Sequence, residues 1–184
     1  PISFGGENGN LRLRGKSSTG TATSAEAYSW IEFGNDTPVA CTGDIRTLVD
    51  WENYENANTS SARFGGLFNG CSDLTTAPAL PATSLAEDCY TGMFRGCTSL
   101  TAAPALPATT LADDCYASMF YDCTSLNSIT MLATDISANN CLGNWVNGVA
   151  TTGTFTKAAA MTSLPTGING IPEGWAVQDY SVTP

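Results

Sequence analysis

The chain has no histidine. That removes the Ser–His–Asp and Cys–His nucleophile systems and the usual catalytic zinc sites, all of which need an imidazole. Basic residues are scarce: Lys and Arg number 7 against 17 Asp and Glu, a net charge of −10 over 184 residues. Nucleic-acid binding draws on clustered Lys and Arg that displace counterions. The only local basic run here, Arg12, Arg14 and Lys16, reads as the solvent face of a strand. No nucleic-acid partner is expected. No apolar run approaches the ~20 residues of a membrane-spanning helix, so no span is expected in this chain. Cys-x-x-Cys pairs, a Gly-x4-Gly-Lys-Ser/Thr phosphate loop and an Asp-x-Asp-x-Asp-Gly calcium loop are all missing, and no cofactor is expected. These absences place an enzyme, with carbohydrate as its expected substrate, behind non-catalytic roles.

What the sequence does have is repetition. Cys71, Cys97 and Cys123 follow one another at 26-residue steps, and Cys89, Cys115 and Cys141 repeat the same step. A fixed period of this size is the mark of stacked repeat units. The units run over residues 71–96, 97–122 and 123–148, the third having drifted most. A partial unit precedes them, since Gly66-Leu67-Phe68-Asn69-Gly70 matches Gly92-Met93-Phe94-Arg95-Gly96.

Each unit has two halves. In the second, Leu111, Cys115, Tyr116, Met119 and Phe120 fall on one face of a short helix or helical turn. Thr109 or Thr110 is its N-cap candidate, Asp113 and Asp114 suit its first turn, and Gly96 in the first unit sits where a helix would end. The other half carries Pro104 and Pro107, so any strand there must be very short, and Ile129-Thr130-Met131 alternates as one.

The run Leu100-Thr-Ala-Ala-Pro-Ala-Leu106-Pro107, then Leu111, then Cys115-Tyr-Ala-Ser-Met119-Phe120-Tyr-Asp-Cys123, resembles the BspA-like leucine-rich repeats of bacterial surface proteins. The likeness covers about residues 64–148, and the flanks Pro38 to Ile45, Gly153 to Lys157 and Ile171 to Trp175 are similar to those of gut-bacterial members. It implies a leucine-rich-repeat solenoid of short strands and helical turns, with small β-rich caps at both ends. The expected organisation is a cap at 1–62, the array at 63–148 and a second cap at 149–184. In the first cap, Leu11 to Arg14, Trp30 to Phe33 and Val39 to Cys41 read as strands of a small antiparallel sheet, and Asn53 to Ser61 as a loop. In the second, Thr154 to Thr156 and Trp175 to Val177 read as strands, with Trp145, Phe155 and Trp175 as apolar plugs. The resemblance carries no catalytic residues; it implies surface exposure and binding or adhesion.

Two readings of the cysteines compete. Neighbouring units one strand spacing apart are close enough for disulfides. Ladders of three cannot fully pair, however, and the count of seven is odd. Reduced, buried ladders formed by Cys71, Cys97 and Cys123 and by Cys89, Cys115 and Cys141 are favoured, with Cys41 a lone buried thiol.

The remaining candidates are surface groups. Glu87, Asp88, Asp113 and Asp114 recur one unit apart and offer oxygen ligands to calcium, though service to helix N-termini explains them as well. Trp51 and Tyr54, within Asp50 to Glu55, combine aromatic and acidic groups suited to stacking on a sugar. Asn69, Arg95 and Tyr121 occupy one repeat position where identity varies, which marks a row free of packing constraint. Opening at Pro1 without methionine, the chain reads as a mature or trimmed segment, and export to the bacterial surface or medium is expected. The expected role is non-catalytic binding to an extracellular protein or glycan. A structural spacer of a larger surface protein is the alternative, and an exposed aromatic or apolar patch would favour the binder.

Overall fold

The computed structural model describes residues 12–24, 26–33 and 37–181. Among them are seven short strands and no α-helix: β1 Ala22–Ser24, β2 Ala27–Tyr28, β3 Val39–Ala40, β4 Leu74–Thr76, β5 Ser128–Met131, β6 Thr154–Lys157 and β7 Ala176–Asp179. The helical content is two 3-10 turns, Ile45–Leu48 and Tyr54–Asn56. The strands fall into three separate sheets, β1–β2 antiparallel, β3–β4 parallel and β5–β6–β7 parallel.

This corrects the expected leucine-rich-repeat solenoid. That architecture needs helical turns on one side and one continuous sheet on the other, and neither forms. The sheet side fails at the prolines. On this side, the second and third units are joined only by isolated bridges, Ala102 to Ser128, Leu106 to Met131 and Thr110 to Asp135. Pro104 and Pro107 lie among those bridges and have no N–H to donate. The proline-free Ser128–Met131 extends to four residues and pairs in full register with Thr154–Lys157.

The helical side fails at the backbone. Asp114, Ser118 and Asp122 have φ of 52°, 54° and 57°, so every fourth residue is left-handed. Asp88, Gly92 and Gly96 repeat this one unit earlier, and Asn140, Asn144 and Gly148 one unit later. An α-helix of L-residues does not tolerate such inversions. The N–H groups alternate instead. Those of Cys115, Ala117, Met119 and Tyr121 close local turns onto the carbonyl three residues back, while those of Asp114, Tyr116, Ser118 and Phe120 donate to Asn139, Cys141, Gly143 and Trp145 in the next unit. The 26-residue period is thus a stack of four-residue turns. Leu111, Cys115, Tyr116, Met119 and Phe120 are all buried in it, with no helix beneath them.

The core is one cluster extending from Ile45 to Trp175. Two aromatic columns run through it. Phe64, Tyr90, Tyr116 and Trp145 stack with centroids 6.0, 6.1 and 6.4 Å apart. Phe68, Phe94 and Phe120 stack at 5.5 and 5.8 Å and reach the same Trp145 at 6.1 Å. Trp145 meets Phe155 edge-on, and its Nε1 donates to the Gly170 carbonyl at 2.9 Å.

In the N-terminal segment the expected strands at 30–33 and at the described residues 12–14 do not form; Leu11 lies outside the described residues. The antiparallel pair is Ala22–Ser24 with Ala27–Tyr28, and Val39–Ala40 pairs parallel to Leu74–Thr76. Asn53 to Ser61, read as a loop, contains the 3-10 turn at Tyr54–Asn56.

Candidate functional site

The variable row Asn69, Arg95 and Tyr121 sits at the tips of the stacked turns. Each residue precedes a left-handed one, Gly70, Gly96 or Asp122. Its own N–H is spent on the carbonyl three back, and its side chain points away from the core. Asn69 and Arg95 are exposed and Tyr121 is half-buried. The Gly70 N–H donates to the Arg95 carbonyl at 2.7 Å and the Gly96 N–H to the Tyr121 carbonyl at 2.8 Å, so the three lie in adjacent layers. The Arg95 guanidinium lies 4.7 Å above the Tyr121 ring centroid, a cation–π contact that holds its charge over the aromatic face.

Two aromatic residues extend this row. Tyr28 and Trp30 meet edge to face at 6.3 Å, and with Asn69 they line a shallow cleft of about 200 Å³. Trp30 is 63% exposed and Tyr28 37%, a large apolar area to leave in water. Their positions are fixed from below. The Ile31 N–H donates to the Leu67 carbonyl at 2.8 Å, and the Cys71 thiol donates to the Ile31 carbonyl at 2.9 Å. The Tyr28 ring packs against Gly66, where an added Cβ would stand 2.5 Å from it; only glycine admits this approach. Sequence reasoning placed Trp30 on a strand and passed over Tyr28. The alternation of Tyr28 and Trp30 was the signal present, and nothing in the sequence tied it to Gly66.

Trp51 and Tyr54 do not join this cleft. Arg14 lies 4.2 Å over the Trp51 ring, and Lys16 pairs with Glu52. The Tyr54 hydroxyl stands 3.5 Å from Glu55 Oε1. A separate depression of about 270 Å³ is lined by Arg46, Glu55, Asn56, Thr59, Pro81 and Thr83 among others. Arg46 is held there by both carboxylate oxygens of Asp44, at 3.1 and 2.7 Å, and donates to the Glu55 carbonyl at 2.9 Å. The hydrogen bonds to Asp44 raise its pKa and keep it charged.

The repeated acids serve the turns. Asp88 and Asp114 occupy left-handed positions, which Asp and Asn tolerate better than most side chains. Asp113 Oδ1 accepts from the Asn139 N–H at 2.8 Å, and Asp114 Oδ1 from the Asn140 side chain at 2.5 Å. Asp88 Oδ1 lies 3.4 Å from the Thr91 hydroxyl, and the Glu87 carbonyl takes Arg63 Nε at 2.9 Å. Among the described residues, no three carboxylate, thiol or imidazole groups converge as metal ligands.

The cysteines are all free thiols; six are buried and Cys41 is half-buried. The Cys97 thiol donates to the Phe68 carbonyl at 3.2 Å and the Cys123 thiol to the Phe94 carbonyl at 2.9 Å. Each of those carbonyls already accepts a local N–H, from Cys71 and Cys97 respectively. The thiol from the next layer thus fills the second lone pair. In the other series the Cys89 thiol faces the Cys115 carbonyl at 3.8 Å. Burial pushes the Cys123 thiol up to about 12 and the Cys71 and Cys141 thiols to about 11. Burial also raises Cys97 and Cys89. Neutral, shielded thiols of this kind are poor nucleophiles.

Among the described residues no helix is long and apolar enough to cross a membrane. Comparisons with protein-family models, with curated proteins and with solved structures find no match to this chain.

Proposed function

We propose that the protein is a non-catalytic binding module that acts outside a bacterial cell, at its surface or in the medium. The observation that carries this reading is the exposed Tyr28–Trp30 pair opening onto Asn69, with Arg95 and Tyr121 in the adjoining layers. An aromatic patch rimmed by polar groups on a rigid base is the usual form of an interaction site. The likeness of the repeat sequence to bacterial surface proteins supports the extracellular setting. The absence of histidine from the chain removes imidazole acid–base chemistry, which fits a binding role.

The test is an array of glycans and extracellular-matrix proteins probed with the wild-type chain and with Trp30→Ala. The expected outcome is one or more ligands whose signal falls in the variant. A blank array with correctly folded protein would sink the binding reading and favour a spacer that holds neighbouring domains apart.

A further inference from the structure

We propose that the cleft between Tyr28, Trp30 and Asn69 binds a pyranose ring of a neutral glycan, with the sugar's apolar face on Trp30 and its hydroxyls on the Asn69 amide. The inference rests on the binding reading and names its ligand class.

Three features select this chemistry. The first is size and shape. The cleft is open and holds about 200 Å³, room for one or two sugar rings. A stable protein interface of ordinary size instead buries roughly 800 Å² on each partner. The second is the pairing of groups. A pyranose presents an apolar C–H face and a rim of hydroxyls, so it needs an aromatic plane and hydrogen-bonding groups that are not already satisfied. Among the described residues the Trp30 indole N–H and the Asn69 amide make no side-chain hydrogen bond. The turn geometry has spent only the backbone N–H of Asn69, on the Gly66 carbonyl. The third is charge. The described residues lining the cleft are uncharged, the Arg95 guanidinium of the next layer is engaged with Tyr121, and the net charge of −10 repels polyanions. A neutral glycan pays none of that repulsion.

The site is pre-organised. Tyr28 rests on Gly66, and Ile31 is tied to Leu67 and to the Cys71 thiol. Little ordering remains to be done on binding, which favours affinity for a small ligand.

The test is titration calorimetry of the full chain with cellohexaose, with maltohexaose and with a chondroitin sulfate hexasaccharide. The expected result is binding of at least one neutral hexasaccharide, weaker binding of the sulfated one, and a loss of at least about tenfold in affinity in Trp30→Ala. Asn69→Ala should weaken binding by a smaller factor. Tyr180→Ala, an exposed aromatic near the C-terminal edge, should leave it unchanged. Trp30 is mostly exposed, so its alanine variant should melt with the wild type, and a matched melt shows that lost binding is not lost folding. Equal affinity in wild type and Trp30→Ala would overturn the site. Tighter, Trp30-dependent binding of the sulfated sugar would overturn the neutral class. A matrix protein bound through Trp30, with no sugar bound, would overturn the ligand class and leave the binding reading standing. No ligand of any kind, sugar or protein, bound by the folded wild type would overturn both.

Discussion

At the residue scale the cysteines show how one side chain does two jobs. Cys97 and Cys123 fill core volume and also satisfy the second lone pair of a carbonyl in the neighbouring layer. Serine keeps the donor but is shorter and more costly to bury; alanine loses the donor and leaves a small void. Cys97→Ala should therefore cost about 1–2 kcal/mol in denaturant unfolding, from lost volume and a lost hydrogen bond together. A change below a few tenths would remove the thiol from the stability argument. The same thiols set a pH limit. Their folded pKa values lie above the ordinary 9.0 because burial disfavours the thiolate, with Cys123 at about 12. The folded state therefore holds protons that the unfolded chain releases, and stability falls as pH rises from about 9 toward 12. Below 9 both states are protonated and these groups impose no slope. For a fully buried thiol such as Cys123 the loss is about 1.4 kcal/mol per pH unit within that window. Denaturation midpoints followed from pH 7.5 to 11 should be flat at first and then drop, and a midpoint that stays flat to pH 11 would contradict the assignment.

At the element scale the decisive unit is the four-residue turn. The spacing of Leu111, Cys115, Met119 and Cys123 is a strict four, with none of the drift that a 3.6-residue helical period imposes. Over so short a run that spacing fits a helical face and a stack of turns alike, and the Asp, Asn, Ser and Gly residues at 88, 92, 96, 114, 118, 122, 140, 144 and 148 are what make the turns possible. Each of these residues stands at a left-handed position. Gly92 offers a clean test, since an added Cβ meets nothing within 4 Å and only the backbone conformation is at stake. Gly92→Ala should cost about 1 kcal/mol, and Gly92→Asn less, because asparagine visits the left-handed region more readily. Equal costs measured by chemical denaturation would argue against the inverted turn. The strands follow the same logic of local chemistry. Leu106 reaches Met131 by a single bridge beside Pro107, while Ser128–Met131, free of proline, zips fully onto Thr154–Lys157.

At the scale of the whole molecule, stability runs along the stack. Trp145 closes both aromatic columns, touches Phe155 and anchors Gly170 through its indole N–H. Trp145→Ala should be the most damaging single truncation in the core, at roughly 3–5 kcal/mol, from lost contacts and cavity together. Phe94→Leu, which keeps most of the volume within one column, should cost much less. A melt series that ranks the two in the opposite order would show that the columns are not the main support. Because the layers share one core, such damage should spread beyond its own layer, and hydrogen exchange should report loss of protection in both neighbours of the altered turn.

The sequence by itself determined the period, the unit boundaries, the inward cysteines and the variable row at Asn69, Arg95 and Tyr121, because a repeating burial pattern is written directly in side-chain chemistry. It also determined that imidazole chemistry is absent. Only the tertiary structure decided that the buried face belongs to inverted turns rather than a helix, because both arrangements bury residues four apart and the difference lies in backbone sign. Only the tertiary structure brought Tyr28 and Trp30 beside Asn69. That meeting depends on a contact between segments some forty residues apart, made possible by the bare backbone of Gly66, and nothing in local sequence encodes which distant ring will rest on which glycine.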